Sequence, residues 1–471
     1  MTGPLALAVG DVAAAVQGRL LSGDAAAPVP GVSIDTRTLK GGDLFFAIRG
    51  ERFDGHDFVA AAFAAGAGGA VVSEPVTALP PGVAAGRALV VVADTTRALQ
   101  HLARAVRWRS GARVVAITGS AGKTTTKDVT AAFLGLRFQV MRSTGNLNNH
   151  IGLPLSLLEL RGGAEVAVVE LGMNHAGEIR RLVEIADPDV RVWTNVGEVH
   201  LEFFPSVEAI ADAKAEVLEG ATRETRLVAN ADDPLVMARV GAFPGRLVTF
   251  GTSPGAGVRA TEIEDRGIDG MAARVETPAG RARFDVPLLG AGNLQNVLAA
   301  AAVASGFDVP LEAMAERARA LRASAHRGDV MRLGQGVVVV DDSYNSNPGA
   351  LRGALAVVAG DRRFGRRVAV LGEMLELGPQ GLALHEACGR AAAASGLSLL
   401  VTVGGEPARL MGRAAVDAGM PGQGVVHAGT SEEAAGIAAA SVRAGDLVLV
   451  KGSRGIRTER VVERLSAVFA A

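Results

Sequence analysis

Short apolar runs that end at glycine or at a polar cluster recur along this chain, and most are followed by a stretch with helical spacing. Residues 114–117, 165–170, 190–195 and 227–230 are such runs. Their alternation with helices predicts a doubly wound parallel sheet. A second set at 337–340, 368–371, 399–403 and 447–450 predicts another, Rossmann-like sheet with its own ligand edge. Ahead of both, a helix opening at Asp11, strands at 32–37, 42–48, 71–72 and 89–92, and a helix at 59–65 predict a small α/β unit. Residues 258–286 alternate over short distances between glycine turns, which predicts a small antiparallel insert. The expected fold class is α/β with three domains: residues 1–107, 108–325 and 326–471.

Two helices carry polar residues in places that matter. Val207, Ile210, Lys214, Val217 and Leu218 fall on one stripe, so Lys214 sits on an apolar face. A lysine there needs a partner or a depressed pKa. Snorkelling or pairing with a carboxylate is one reading; service in a metal site, as a CO₂ adduct that acts like a carboxylate, is the other. Asn293 and Asn296 open an alanine-rich helix on a shared face, where capping is favoured over contact with a nucleotide base.

The chain has 471 residues, 49% of them hydrophobic and 21% charged, which suits several globular domains with large cores. A formal net charge of -1 provides no field to draw nucleic acid or anionic lipid. The Arg362-Arg363 and Arg366-Arg367 cluster reads as a solvated face. No run reaches the roughly 20 apolar residues of a membrane span, and residues 1–11 lack a basic leader, so a cytoplasmic location is expected. The single cysteine, Cys388, excludes an internal disulfide and reads as a small buried apolar residue.

The chemistry concentrates at residues 118–125, Thr-Gly-Ser-Ala-Gly-Lys-Thr-Thr. A buried strand, two glycines and the start of a helix place backbone N–H groups around a phosphate. Lys123 would reach the outer phosphates and the Thr124 hydroxyl would ligate Mg²⁺. The loop is shorter than the common P-loop, with two rather than four residues between its glycines. Glu170 and His200 follow neighbouring strands of the same predicted sheet, where a carboxylate can hold Mg²⁺ opposite Thr124.

These loops, in this order, resemble the Mur ligase family over the whole chain. The resemblance rests on Asp35-Thr36-Arg37, residues 50–56, 118–125, 145–149 and 170–174, His200, Lys214, and residues 341–348, 372–378 and 451–455. It implies an ATP-dependent ligase that joins a carboxylate to an amine through an acyl phosphate. The 341–348 and 372–378 stretches point to addition of D-alanyl-D-alanine to UDP-N-acetylmuramoyl-tripeptide, a step of peptidoglycan precursor synthesis.

The resemblance assigns ATP to Gly119, Ser120, Ala121, Gly122, Lys123, Thr124, Thr125, Asn293, Asn296, Asp342 and Asn345. It assigns catalysis to Lys123, His200 and Lys214, and Mg²⁺ to Thr124, Glu170, His200 and carbamylated Lys214. Ser33, Thr36 and Arg37 would hold the uridine diphosphate end, Asn146, Asn148 and Asn149 the peptide, and Lys451 and Arg454 would arrive on closure. A monomer is expected. Gly292 departs from the pattern, standing where the family usually has histidine. The alternatives are the family member that adds the third amino acid, folylpolyglutamate synthase, and a regulatory P-loop NTPase. The first is disfavoured by the lack of its Asp-Asn-Pro-Arg signature.

Overall fold

A computed structural model describes residues 4–73 and 86–470, so the first three residues of the stretch read for a leader lie outside it. The chain divides into two compact units. One holds the residues up to Ile117 together with 137–191 and 219–226; the other holds 118–136, 192–218 and the residues from Leu227 onward.

The first unit contains a five-stranded sheet: β1 (Arg19–Ser22), β2 (Val32–Ser33), β3 (Leu44–Phe46), β4 (Gly69–Val72) and β5 (Ala88–Val91), in the order β1-β5-β4-β3-β2. All neighbours are parallel except β1 and β5. The strand expected at 32–37 stops at Ser33. Asp35 turns the chain there, accepting from the Arg37 N–H at 2.9 Å, while Ser33 Oγ donates to the Asp35 carbonyl.

A nine-stranded sheet follows: β6 (Arg113–Thr118), β7 (Val140–Arg142), β8 (Val166–Glu170), β9 (Val190–Trp193), β10 (Arg226–Asn230), β11 (Arg246–Gly251), β12 (Val258–Asp265), β13 (Met271–Thr277) and β14 (Gly280–Val286). Its order is β14-β13-β12-β11-β10-β9-β6-β8-β7. β8 is buried throughout, and β6 everywhere but at Arg113, which is why both read as unbroken apolar runs. The stretch 258–286 does pair antiparallel, but it extends this sheet instead of standing apart from it.

The second unit holds a six-stranded sheet: β15 (Asp329–Arg332), β16 (Val338–Asp342), β17 (Arg367–Gly372), β18 (Leu399–Val403), β19 (Val425–Ala428) and β20 (Leu447–Lys451), in the order β15-β16-β20-β17-β18-β19. Helices Pro348–Gly360, Gly381–Ala394 and Glu406–Asp417 pack on one face through Leu351, Leu355, Cys388, Ala392, Met411 and Ala415. Helices Ser431–Ser441 and Glu459–Val468 pack on the other through Ala434, Ala438, Val461 and Leu465. The chain leaves β20 toward one face and leaves its neighbours β16 and β17 toward the other. Strand ends at which the chain reverses faces in this way are the usual ligand position in such sheets. Cys388 is fully buried, and burial pushes its thiol up to about 11, the behaviour of a core residue.

The turn between β12 and β13 is tied to this last part of the chain. Ile268 joins the apolar cluster around Leu351 and Leu355, and its N–H donates to Asp361 at 3.2 Å. Gly267 has φ +61, and a Cβ there would lie 2.4 Å from Asp361 Oδ2. Asp361 also accepts from Arg363, which in turn pairs with Asp269. The arginine cluster is therefore partly paired within the fold: Arg363 is held here and Arg366 pairs with Asp446. Hydrogen bonding from Arg363, against the cost of burial, holds the Asp361 carboxyl at about 2, below its ordinary 3.8. The resulting stabilisation is complete above about pH 4 and is lost as pH falls through 2. With Arg363 half in solvent, it amounts to about 1–2 kcal/mol. Melting temperature should fall less steeply between pH 4 and 2 in Asp361→Asn than in the parent. Parallel curves would show that the pair contributes nothing.

Candidate active site

β6 ends at Thr118 and the helix Lys123–Leu134 begins five residues later. The loop between them can be this short because its glycines accept close approach. A Cβ at Gly119, φ +150, would lie 1.9 Å from Thr194 Oγ1; at Gly122, φ +81, it would lie 2.2 Å from Asn296 Oδ1. Lys123 is the first helical residue, and its Nζ donates to the Gly119 carbonyl at 2.7 Å. The ammonium is thereby folded over the loop. Thr124 and Thr125 follow in the first turn, half-buried, where N–H groups lack intrahelical acceptors. The end of β9 lies against the loop: Ser120 N–H donates to the Asn195 carbonyl, and Gly197 N–H donates to Ser120 Oγ.

Asn296 is buried and accepts from Thr126 Oγ1 at 3.1 Å, while its Nδ2 donates to Asn293 Oδ1. Neither asparagine caps its helix; Asn293 donates back to the Leu289 carbonyl. They link the helix Gly290–Ser305 to the phosphate-loop helix instead. At Gly292 an added Cβ would meet no atom within 4 Å, so there is open space where the family usually carries an imidazole.

Lys214 lies in the helix Val207–Ala215 and is 1% exposed. Burial, and after it the positive charge of Lys123, pushes its amine well below the ordinary lysine range. Neither influence comes from a carboxylate, and both shift the amine toward its neutral, nucleophilic form. His200 has φ +57 and is held by Glu376, also left-handed at φ +62, through Nδ1···Oε2 at 2.7 Å. The backbone adds a bond from Glu202 N–H to the Glu376 carbonyl. The His200 hydrogen bond, against the cost of burial, keeps the Glu376 carboxyl below its usual range. Glu376 belongs to the 372–378 stretch, but nothing in its sequence context marked it as the partner of His200. That stretch is itself fixed by His385, fully buried, which accepts from Met374 N–H and faces the Gly381 carbonyl through Nδ1.

Lys451 ends β20, 3% exposed, and donates to Asp342 Oδ2 at 2.6 Å and to the Asn345 carbonyl at 2.9 Å. Asp342 and Lys451 are also register partners across β16 and β20. The structure thus brings three predicted residues together, with the lysine engaged by the other two. Arg454 pairs with Glu459 and lies 5.8 Å from the Tyr344 ring centre; Arg327 stacks on that ring at 3.9 Å. Tyr344, Arg327 and the His326–Asp341 pair at 2.7 Å escaped the sequence reading, which saw only the polar run at 341–348.

In the first unit, Glu170 ends β8, is 2% exposed and is in register with Ile117 of β6. Asn148 lies against Gly172: its carbonyl accepts from Gly172 N–H at 2.9 Å, and a Cβ on Gly172 would lie 2.8 Å from its Cγ. Asn149 Oδ1 accepts from the N–H groups of Ile151 and Gly152, and Asn146 is exposed. Ser33 is buried, Thr36 half-buried, and Arg37 is exposed and paired with Asp35 at 2.6 Å. Among the described residues, no three His, Cys, Asp or Glu side chains form a ready metal site. No helix among them is long and apolar enough to cross a membrane.

Family profiles match three stretches: "Mur ligase family, catalytic domain" at residues 28–107, "Mur ligase middle domain" at 117–304, and "Mur ligase, glutamate ligase domain" at 326–454. The UDP-N-acetylmuramoyl-tripeptide–D-alanyl-D-alanine ligase of Bacillus subtilis is 34% identical over 439 residues, covering 93% of each chain. A crystal structure of MurF from Acinetobacter baumannii superposes with a TM-score of 0.88 at 30% identity, over 98% of this chain and 99% of that one. MurF from Thermotoga maritima in complex with ADP superposes with a TM-score of 0.81 at 28% identity, over 93% of this chain and 97% of that one.

Proposed function

This chain belongs to the Mur ligase family, and on that premise we propose how its residues carry out the reaction. It is an ATP-dependent ligase that adds D-alanyl-D-alanine to UDP-N-acetylmuramoyl-tripeptide in peptidoglycan precursor synthesis. The observation that carries this is the end-to-end similarity to the Bacillus subtilis enzyme of that activity. The ADP complex of the Thermotoga relative supports ATP as the nucleotide.

The tripeptide's terminal carboxylate attacks the γ-phosphorus, giving an acyl phosphate and ADP. The dipeptide amine then attacks the acyl carbon, phosphate leaves, and an amide remains. Two anions must meet in the first step, so the site has to offset negative charge. Lys123 and the N–H groups of the first helical turn do this for the phosphates, with Gly119, Ser120, Ala121, Gly122, Thr124 and Thr125 shaping the loop. Asn293, Asn296, Asp342 and Asn345 serve the adenosine end. Ser33, Thr36 and Arg37 hold the uridine diphosphate; Asn146, Asn148 and Asn149 lie along the peptide. Lys451 and Arg454 serve the reacting end after release from their present partners.

The donor set of Thr124, Glu170, His200 and Lys214 suits Mg²⁺ once the lysine is a carbamate, since the set is then three oxygen donors and an imidazole whose Nδ1 is already engaged. When bound, Mg²⁺ supplies positive charge to the phosphate oxygens. We take residues 1–107, 108–325 and 326–471 as the uridine-nucleotide, ATP and ligase domains of a cytoplasmic monomer. The test is phosphate release from ATP with each substrate alone and both together, using tripeptides ending in lysine and in diaminopimelate. Release should require both substrates, and one tripeptide should dominate. Vigorous release with neither substrate would sink the ligase reading.

A further inference from the structure

The phosphate loop is gripped by a side chain outside it. Asn195, just past β9, addresses both ends of residue Ala121: its Oδ1 accepts from the Ala121 N–H at 2.8 Å, and its Nδ2 donates to the Ala121 carbonyl at 3.0 Å. Thr194 Oγ1 donates to the same carbonyl at 3.0 Å, and the Asn195 carbonyl accepts from Ser120 N–H. The N–H groups of Ser120 and Ala121 are therefore committed to the β9 end. A phosphate is left with the donors that follow, at Gly122 and the first turn of the Lys123 helix.

We propose that Asn195 is the positioning residue of the nucleotide phosphates, a brace that replaces the two residues this loop lacks relative to a common P-loop. A longer loop can wrap a phosphate with its own amides. A loop with only two residues between its glycines has no slack to hold itself open, and its shape must be imposed from beside it. A side-chain amide suits that task, because it offers one donor and one acceptor in a fixed plane and can satisfy both halves of a peptide unit at once. Asn195 touches no reacting atom in this scheme; it acts by aiming the amides that do.

This rests on the ATP-dependent ligase reading, and the parent enzyme separates the two: product formation by the parent tests the ligase reading before any variant is made. In Asn195→Ala and Asn195→Asp, which keeps the shape but removes the donor, affinity for ADP should fall about tenfold or more. Affinity for AMP and for UDP-N-acetylmuramoyl-tripeptide should stay within about twofold, and KM for ATP should rise more than kcat falls. The inference is overturned if both variants bind ADP like the parent, or lose AMP and ADP affinity by the same factor. It is equally overturned if both fail to fold, which would assign Asn195 to stability alone.

Discussion

Lys123→Ala should lower kcat about a thousandfold or more while the protein still melts cooperatively near the parent temperature. The two halves of that result have separate causes. The Lys123 amine donates to the Gly119 carbonyl in its own loop, a local bond from a half-buried side chain. Deleting it removes no core packing, and alanine is a good helix former at the first helical position. The catalytic loss is large because the ammonium offsets charge where a carboxylate must approach a triphosphate. Single-turnover formation of ADP with all substrates saturating isolates that step. A rate within tenfold of the parent would remove Lys123 from the phosphate site.

The second large effect is at Lys214. Lys214→Met preserves most of the buried volume, so the fold should survive, yet turnover should fall at least about a hundredfold. A fully buried lysine whose amine is pushed down by burial and by Lys123 is an expensive way to fill a core. Its depressed pKa makes sense if the neutral amine is meant to react with CO₂. The carbamate that results is an anion, opposite in sign to the lysine, and can answer the nearby Lys123 cation that now repels it. Parent enzyme stripped of CO₂ and bicarbonate should regain activity when bicarbonate is returned. A methionine variant that turns over at a tenth of the parent rate or better would reduce Lys214 to a packing residue.

The sequence was most legible where burial was complete. β6, β8, β18 and β20 are buried nearly end to end, and each stood out as an apolar run bounded by glycine or charge. The strands that went unseen, β1, β7, β11, β15 and β19, each expose or half-expose most of their length, which leaves too little apolar pattern to detect. Lys214 was legible because a lysine on an apolar stripe breaks periodicity. Asn195 and Glu376 were not, because each acts through a partner 74 and 176 residues away respectively, a relation that no local pattern carries. Asn293 and Asn296 were placed on the correct face, but the expected capping gave way to a link between two helices. For Lys451, spacing could identify the strand end but not its engagement by Asp342.

The seating of Ile268 beside Asp361 bears on how such an enzyme can be taken apart. Exchanging the last third of the chain with that of a relative at residue 326 would cut between a plug and its socket. The donor's socket would meet a foreign turn, and a side chain at the position of Gly267 would press on the aspartate. A recombinant hybrid should therefore import residues 267–269 together with the C-terminal segment, treating the three-residue turn between β12 and β13 as cargo of the domain that follows.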